Sequence, residues 1–278
     1  MNQNLKLRIM TALIGVPVIL MLLLGLGVDG VAFFAWVIST GMLLEFSKMF
    51  LTGSDARKKT VTLVVFNTVI HAVNDWFGIG LNPAFLGIAP VFIFFVLFLL
   101  WIPRRGQPSE ESLSQHFREL MAVSFGFVYC GWFPLLMVGI REMPLGKHWL
   151  VLTLVIVWAS DTFAYFAGRT FGKHLLYPSV SPKKTWEGFA GGALGAIVLA
   201  VLYAHFFLPI QSVVEIAAIA LTVSLVAALG DLCESLMKRA SNVKDSGSIL
   251  PGHGGFLDRF DGVVFALPVM SLILWLIF

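Results

Sequence analysis

The sequence predicts an all-α polytopic membrane protein, and three observations carry that prediction. Of 278 residues, 58% are hydrophobic and only 13% are charged, giving a mean hydropathy of +0.88, more apolar surface than a water-soluble domain of this length can hide. The apolar runs are long enough for spans of about 20 residues each. Stretches such as Val91 to Ile102 and Leu150 to Ala159 are continuous and lack the two-residue alternation of a membrane barrel. In lipid they satisfy their own backbone only as helices.

Hydropathy places about nine spans, near residues 7–27, 30–50, 61–80, 84–102, 119–140, 149–168, 188–208, 212–232 and 262–278. The first follows Lys6 and Arg8, and no A-x-A cleavage site comes after it, so a retained span rather than a signal peptide is expected. Near the end of the second, Glu45 precedes Lys48 by three, the spacing of an ion pair at the inner surface. In the third, His71, Asn74 and Asp75 share a face near the outer end, where water is close. A solvated connection, Pro103 to Arg118, follows the fourth. Trp76, Trp101, Trp132 and Trp149 read as interfacial anchors. Cys130 and Cys233 lie in or beside different spans, without the spacing of a disulfide framework or zinc site. With no repeat or long linker, residues 1–278 read as one integral-membrane domain, with N-terminal helices to about 148 and a chemistry-bearing half from about 149.

Charge sidedness agrees with the count. With a cytoplasmic N-terminus, nine alternating spans put every Lys and Arg except Arg141 and Lys147 in cytoplasmic segments or at cytoplasmic span ends. Cationic loops on that side favour anionic lipid head groups or nucleotides. No nucleic-acid partner is expected. The short extra-membrane segments favour a bacterial inner membrane.

Two segments break the apolar pattern. The first, ASDTFAYFAGRTFGKHLLYPSVSPKKTWEG from Ala159 to Gly188, places Asp161 inside a span. An ionised carboxylate there costs a few kcal/mol unless it faces a cavity or a partner. Arg169, Lys173, Lys183 and Lys184 follow, the last two in S-P-K-K-T, where Pro182 stiffens the turn and Thr185 can cap a helix or bond phosphate. The second, SLMKRASNVKDSGSILPGHGGFLDRFD from Ser235 to Asp261, is denser still. Just before it, Asp231 and Glu234 stand three apart on one helical face, and Lys238 lies four past Glu234, the spacing of a plain ion pair. D-R-x-D sets Asp258 and Asp261 three apart at the start of the last span. Three or four converging carboxylates repel one another in a low-dielectric pocket, and a divalent cation relieves that repulsion. The donors are hard oxygens with only His253 nearby, which points to Mg²⁺. P-G-H-G-G, Pro251 to Gly255, offers backbone N–H groups with little side chain in the way of phosphate. The order G-x-x-x-x-G-K-[ST] of a P-loop does not occur. The pattern therefore describes a metal-bound nucleoside triphosphate site of another kind.

The order S-x-x-K-R, K-D-S-G, L-P-G-H-G-G, L-D-R-x-D closely resembles the signature of the phosphatidate cytidylyltransferases, the membrane CDP-diacylglycerol synthases. The upstream D-x-x-A-Y-F-x-G-R-x-x-G-K and S-P-K-K-T-W-E-G are similar to the same family's second block. Asn242 stands where many members have Gly, and Gly262 where Ser is common. Asn tolerates a left-handed turn. The resemblance implies that the phosphate of phosphatidic acid attacks the α-phosphorus of CTP, giving CDP-diacylglycerol and pyrophosphate in a homodimeric enzyme. It implies a metal cluster of Asp231, Asp258 and Asp261, with Glu234 a weaker fourth ligand and room for a second cation. Lys183, Lys184, Lys238, Arg239 and Arg259 then hold the CTP and lipid phosphates. His253 and Lys244 face the leaving pyrophosphate, Gly254 and Gly255 approach phosphate by their backbone, and Asp161 shapes the polar cavity. Ser181, Thr185 and Ser235 are hydroxyl donors. An ion-coupled secondary transporter using Asp161 and Asp231 is the competing class, and it leaves P-G-H-G-G and D-R-x-D without a task.

Overall fold

A computed structural model describes residues 13–15, 17–51, 53, 55–77, 96, 110–209, 211–249 and 254–278. After a π-helical turn at Met21–Gly25 come α1 (Gly27–Phe50) and α2 (Ala56–Phe77). The next helix, α3, runs as Glu110–Gly126, a π-helical bulge at Phe127–Trp132, and Phe133–Glu142. Then follow α4 (Gly146–Phe171), strands β1 (Leu175–Tyr177) and β2 (Ser181–Thr185), α5 (Trp186–Phe207), α6 (Val213–Ala240) and α7 (Leu257–Ile277).

Six helices among the described residues are long and apolar enough to cross a membrane: α1, α3 from Leu113, α4, α5, α6 and α7. These match the second and the fifth to ninth spans expected from hydropathy. Helix α2 covers the third, but it opens on Arg57, Lys58 and Lys59 and is not among the six. The fourth expected span, apart from residue 96, lies outside the described residues, and the first is described only in part.

Local chemistry sets several helix boundaries. Ser212 and Glu215 form a reciprocal capping box at the start of α6, with bonds of 3.2 and 3.0 Å. At its far end Asn242 turns left-handed (φ 55°). The Asn242 N–H bonds the Arg239 carbonyl and the Val243 N–H the Lys238 carbonyl, the pairing that closes a Schellman stop. Helices α4 and α5 pack closely, because small residues let the backbones approach. A Cβ on Gly192 would lie 2.7 Å from the Ser160 carbonyl oxygen.

The helix ends sort into two groups. At one end Lys59 of α2 pairs with Glu119 of α3, Glu45 of α1 meets Phe256 and Leu257, and the 172–185 connection joins α4 to α5. At the other, His148 of α4 bonds the Tyr203 hydroxyl (3.1 Å) and Trp149 meets Phe278. Both groups of loops that carry the unusual polar segments lie at the first end.

Two sequence expectations are corrected by packing. Trp132 and Trp149 are buried in the bundle, where they fill space between helices rather than anchor an interface; Trp76 and Trp101 lie outside the described side chains. His71 and Asn74 are buried as well. The His71 ring faces the Gly131 carbonyl (3.4 Å) in the α3 bulge, beside the Ser39–Asn67 bond of 2.8 Å that ties α1 to α2.

Candidate active site

The segment from Gly172 to Thr185, an irregular loop by sequence, folds as a short antiparallel hairpin with Leu175 opposite Thr185 and Tyr177 opposite Ser181. Successive strand residues face opposite sides. That alternation separates the two lysines: Lys184 Nζ sits 2.5 Å from Asp231 Oδ2 on α6, while Lys183 stands exposed between two cavities. Thr185 caps α5, its hydroxyl accepting the Gly188 N–H at 3.1 Å. Glu187 holds the hairpin base, accepting the His174 ring at 2.6 Å and the backbone N–H of Lys173 and His174.

Helices α6 and α7 bring carboxylates together. One ligand oxygen each of Asp231, Glu234 and Asp261 lies within 4.8 Å of the other two. Asp231 and Glu234 share a face of α6, as their three-residue spacing requires, and Asp261 reaches them from α7. Glu234 is buried; its Oε2 accepts from Lys238 at 2.6 Å, and its Oε1 is buried with no partner. A buried, unpartnered carboxylate oxygen beside two further carboxylates fits a hard divalent cation.

Asp258 lies beside Glu234 but is not one of these three mutually close ligand groups. Its Oδ1 takes the second bond of Lys238 (2.7 Å), and its Oδ2 accepts from Ser246 N (3.1 Å) and Gly255 N (2.9 Å) and shares the single Ser246 O–H, at 2.9 Å, with Glu45. Lys238 is thus a half-buried bridge between Glu234 and Asp258, more than the i,i+4 pair that its spacing suggests. The Gly255 N–H, expected to approach phosphate, is instead committed to Asp258. The glycines here make room for carboxylates: a Cβ on Gly254 (φ +83°) would lie 2.8 Å from Asp258 Oδ2, and one on Gly255 would collide with Glu45 and Ser246. His253 lies outside the described residues.

Two cavities meet at Lys183. One of ≈ 430 Å³ lies between α4, α5 and the hairpin; Asp161, Arg169, Lys184 and Asp231 line it beside Leu176 and Phe189. The other, of ≈ 260 Å³, is walled by Ser181, Ser235, Lys238, Arg239 and Lys244. Arg239 also bonds the Val180 carbonyl (3.4 Å), and Ser235 Oγ reaches Asp231 at 3.4 Å. Arg259 is exposed in the first turn of α7.

Glu45 was not a site candidate by sequence, and its expected partner was Lys48. The structure turns it elsewhere. Fully buried, it accepts Ser246 Oγ (3.1 Å), Phe256 N (3.1 Å) and Leu257 N (3.0 Å). Helix α7 has no side-chain cap of its own, and two of its free N–H groups are satisfied across the molecule by α1. The only sequence signal was a carboxylate inside a span.

Comparison with known proteins gives the family. A model described as the cytidylyltransferase family matches residues 6–277. The chain is 41% identical over 160 residues to a phosphatidate cytidylyltransferase of Bacillus subtilis (strain 168), covering 57% of this chain and 59% of that one. A Staphylococcus aureus (strain COL) protein of the same name is 45% identical over 129 residues, 46% of this chain and 50% of the relative. One from Haemophilus influenzae is 43% identical over 130 residues, 45% of each. The matched part thus spans about half the length of these relatives.

Proposed function

This chain belongs to the cytidylyltransferase family, and from that premise we propose that it transfers the cytidylyl group of CTP to phosphatidic acid. The products are CDP-diacylglycerol and pyrophosphate. The observation that carries this reading is the group Asp231, Glu234 and Asp261 beside a cavity lined by Lys183 and Lys184. The names of the relatives support the choice of substrates.

A phosphate oxygen of the lipid bonds to the α-phosphorus of CTP; the bond from that phosphorus to the bridging oxygen breaks, and its electron pair leaves on pyrophosphate. The nucleophile is already an anion, so neither a Ser–His pair nor a strong base is called for. What the protein supplies is alignment of two anions and compensation of charge. The larger cavity, with apolar Leu176 and Phe189 beside Arg169 and Lys183, suits the glycerol end of a lipid held against α4, α5, α6 and the hairpin. The smaller, with Arg239 and Lys244, suits the CTP phosphates and the departing pyrophosphate. Asp231, Glu234 and Asp261 are the residues to hold Mg²⁺, and the same oxygen-rich group suits a second cation. When bound, the ion neutralises phosphate charge as it develops.

The same reading gives the chain nine spans, a cytoplasmic N-terminus and a cytoplasmic site in a bacterial inner membrane, as one domain acting as a homodimer. Charge sidedness supports the orientation, and family resemblance supports the dimer. The test is purified protein given labelled CTP, phosphatidic acid and Mg²⁺: release of pyrophosphate with formation of a lipid nucleotide is expected. Ion flux across sealed vesicles without CTP consumption contradicts the proposal.

A further inference from the structure

From its geometry we infer that Glu45, in the N-terminal half, is a positioning residue for the carboxylate group and sets its affinity for a divalent cation. The inference rests on the functional reading above for the cation's use, but not for its binding.

The link is continuous. Glu45 fixes the Phe256 and Leu257 N–H groups at the first turn of α7, and Asp261 lies one turn further along. Ser246 Oγ lies 3.1 Å from Glu45 and 2.9 Å from Asp258, so the two carboxylates share its single O–H, and Glu45 thereby neighbours the carboxylate that shares Lys238 with Glu234. Apolar contacts seat the same turn on α1: Phe256 lies where a Cβ on Gly41 would fall, 2.6 Å from that position, and Phe34 meets Phe260 edge-on at 6.0 Å between centroids. Nothing larger than hydrogen fits on Gly247 or Gly255 beside the Glu45 carboxylate without displacement. The separation of Asp261 from Asp231 and Glu234 is thereby set by α1, which supplies no ligand itself.

Glu45→Gln tests this, since the amide keeps the shape but points N–H groups at donors. Mn²⁺ binding to the full-length protein in lipid nanodiscs is followed by paramagnetic resonance, alongside thermal unfolding. The inference predicts Mn²⁺ affinity weakened by roughly 10- to 100-fold, the scale of losses when ligand-orienting partners are removed. Ser246→Ala, which deletes the shared hydroxyl, is expected to weaken Mn²⁺ in the same direction. If Glu45→Gln does not fold, Ser246→Ala decides alone. Unchanged Mn²⁺ affinity overturns the inference, whatever the melting temperature does, as does wild-type protein that binds no Mn²⁺. Wild-type protein that binds Mn²⁺ yet makes no lipid nucleotide defeats the functional reading and leaves this one to be judged by the variants.

Discussion

Lys184 Nζ lies 2.5 Å from Asp231 Oδ2, so the hairpin is tied to α6 through one member of the carboxylate group. A cation at Asp231 competes with this ammonium for the same oxygen, and a released Lys184 is then free to meet phosphate. Lys184→Met is therefore predicted to bind Mn²⁺ at least as well as wild type while turnover of CTP falls by about 10²-fold or more, the usual cost of losing one charge-stabilising donor. Parallel binding and rate measurements check both directions.

Asp258 and Asp261 part company in the structure, and their variants are predicted to do so too. Asp261→Asn removes a member of the carboxylate group and abolishes Mn²⁺ binding and turnover together, with the protein still inserted. Asp258→Asn weakens the Lys238 bridge and the Ser246 and Gly255 contacts. It keeps measurable Mn²⁺ binding but loses roughly 2–4 kcal/mol of stability, the range for a damaged, half-buried ion pair. Chemical denaturation and metal titration of both proteins separate the two effects.

At the α4–α5 contact, Gly192→Val drives a side chain into the Ser160 carbonyl. A loss of about 1–3 kcal/mol is predicted from overpacking, with lower turnover because the larger cavity lies between these helices. Gly192→Ala is predicted to be milder. Thermal unfolding in detergent orders the three proteins.

Asn242 is left-handed at φ 55°, a conformation that Asn tolerates better than most residues with a side chain. Asn242→Gly is predicted to leave turnover unchanged, whereas Asn242→Val costs about 1–2 kcal/mol, because a β-branched side chain lacks the local hydrogen bonding that lets Asn adopt this conformation. Unfolding midpoints of the two variants give the comparison.

Much of this was legible because a membrane imposes its own grammar: apolar runs must be helical, and residues three apart on a helix must share a face. Asp231 and Glu234 followed from that rule. Asp258 and Asp261 both reach Glu234 from α7, but the donors that hold Asp258 were not foreseen, because the preceding loop folds back and offers it N–H groups. Glu45 was illegible for a different reason. A local partner, Lys48, satisfied the sequence pattern, while the real partners lie 201 to 212 residues away, and no local pattern encodes a contact between distant helices. Trp132 and Trp149 were misjudged likewise, since an aromatic ring at a span end suits an interface or a helix junction equally well. Nor did the sequence signal the hairpin at Leu175–Thr185, whose alternation separates Lys183 from Lys184.

The most direct test is the position of Mn²⁺ located by anomalous scattering in crystals of the full chain. The account predicts a peak bounded by Asp231, Glu234 and Asp261 that disappears in Asp261→Asn. A peak elsewhere, or none at saturating Mn²⁺, contradicts it.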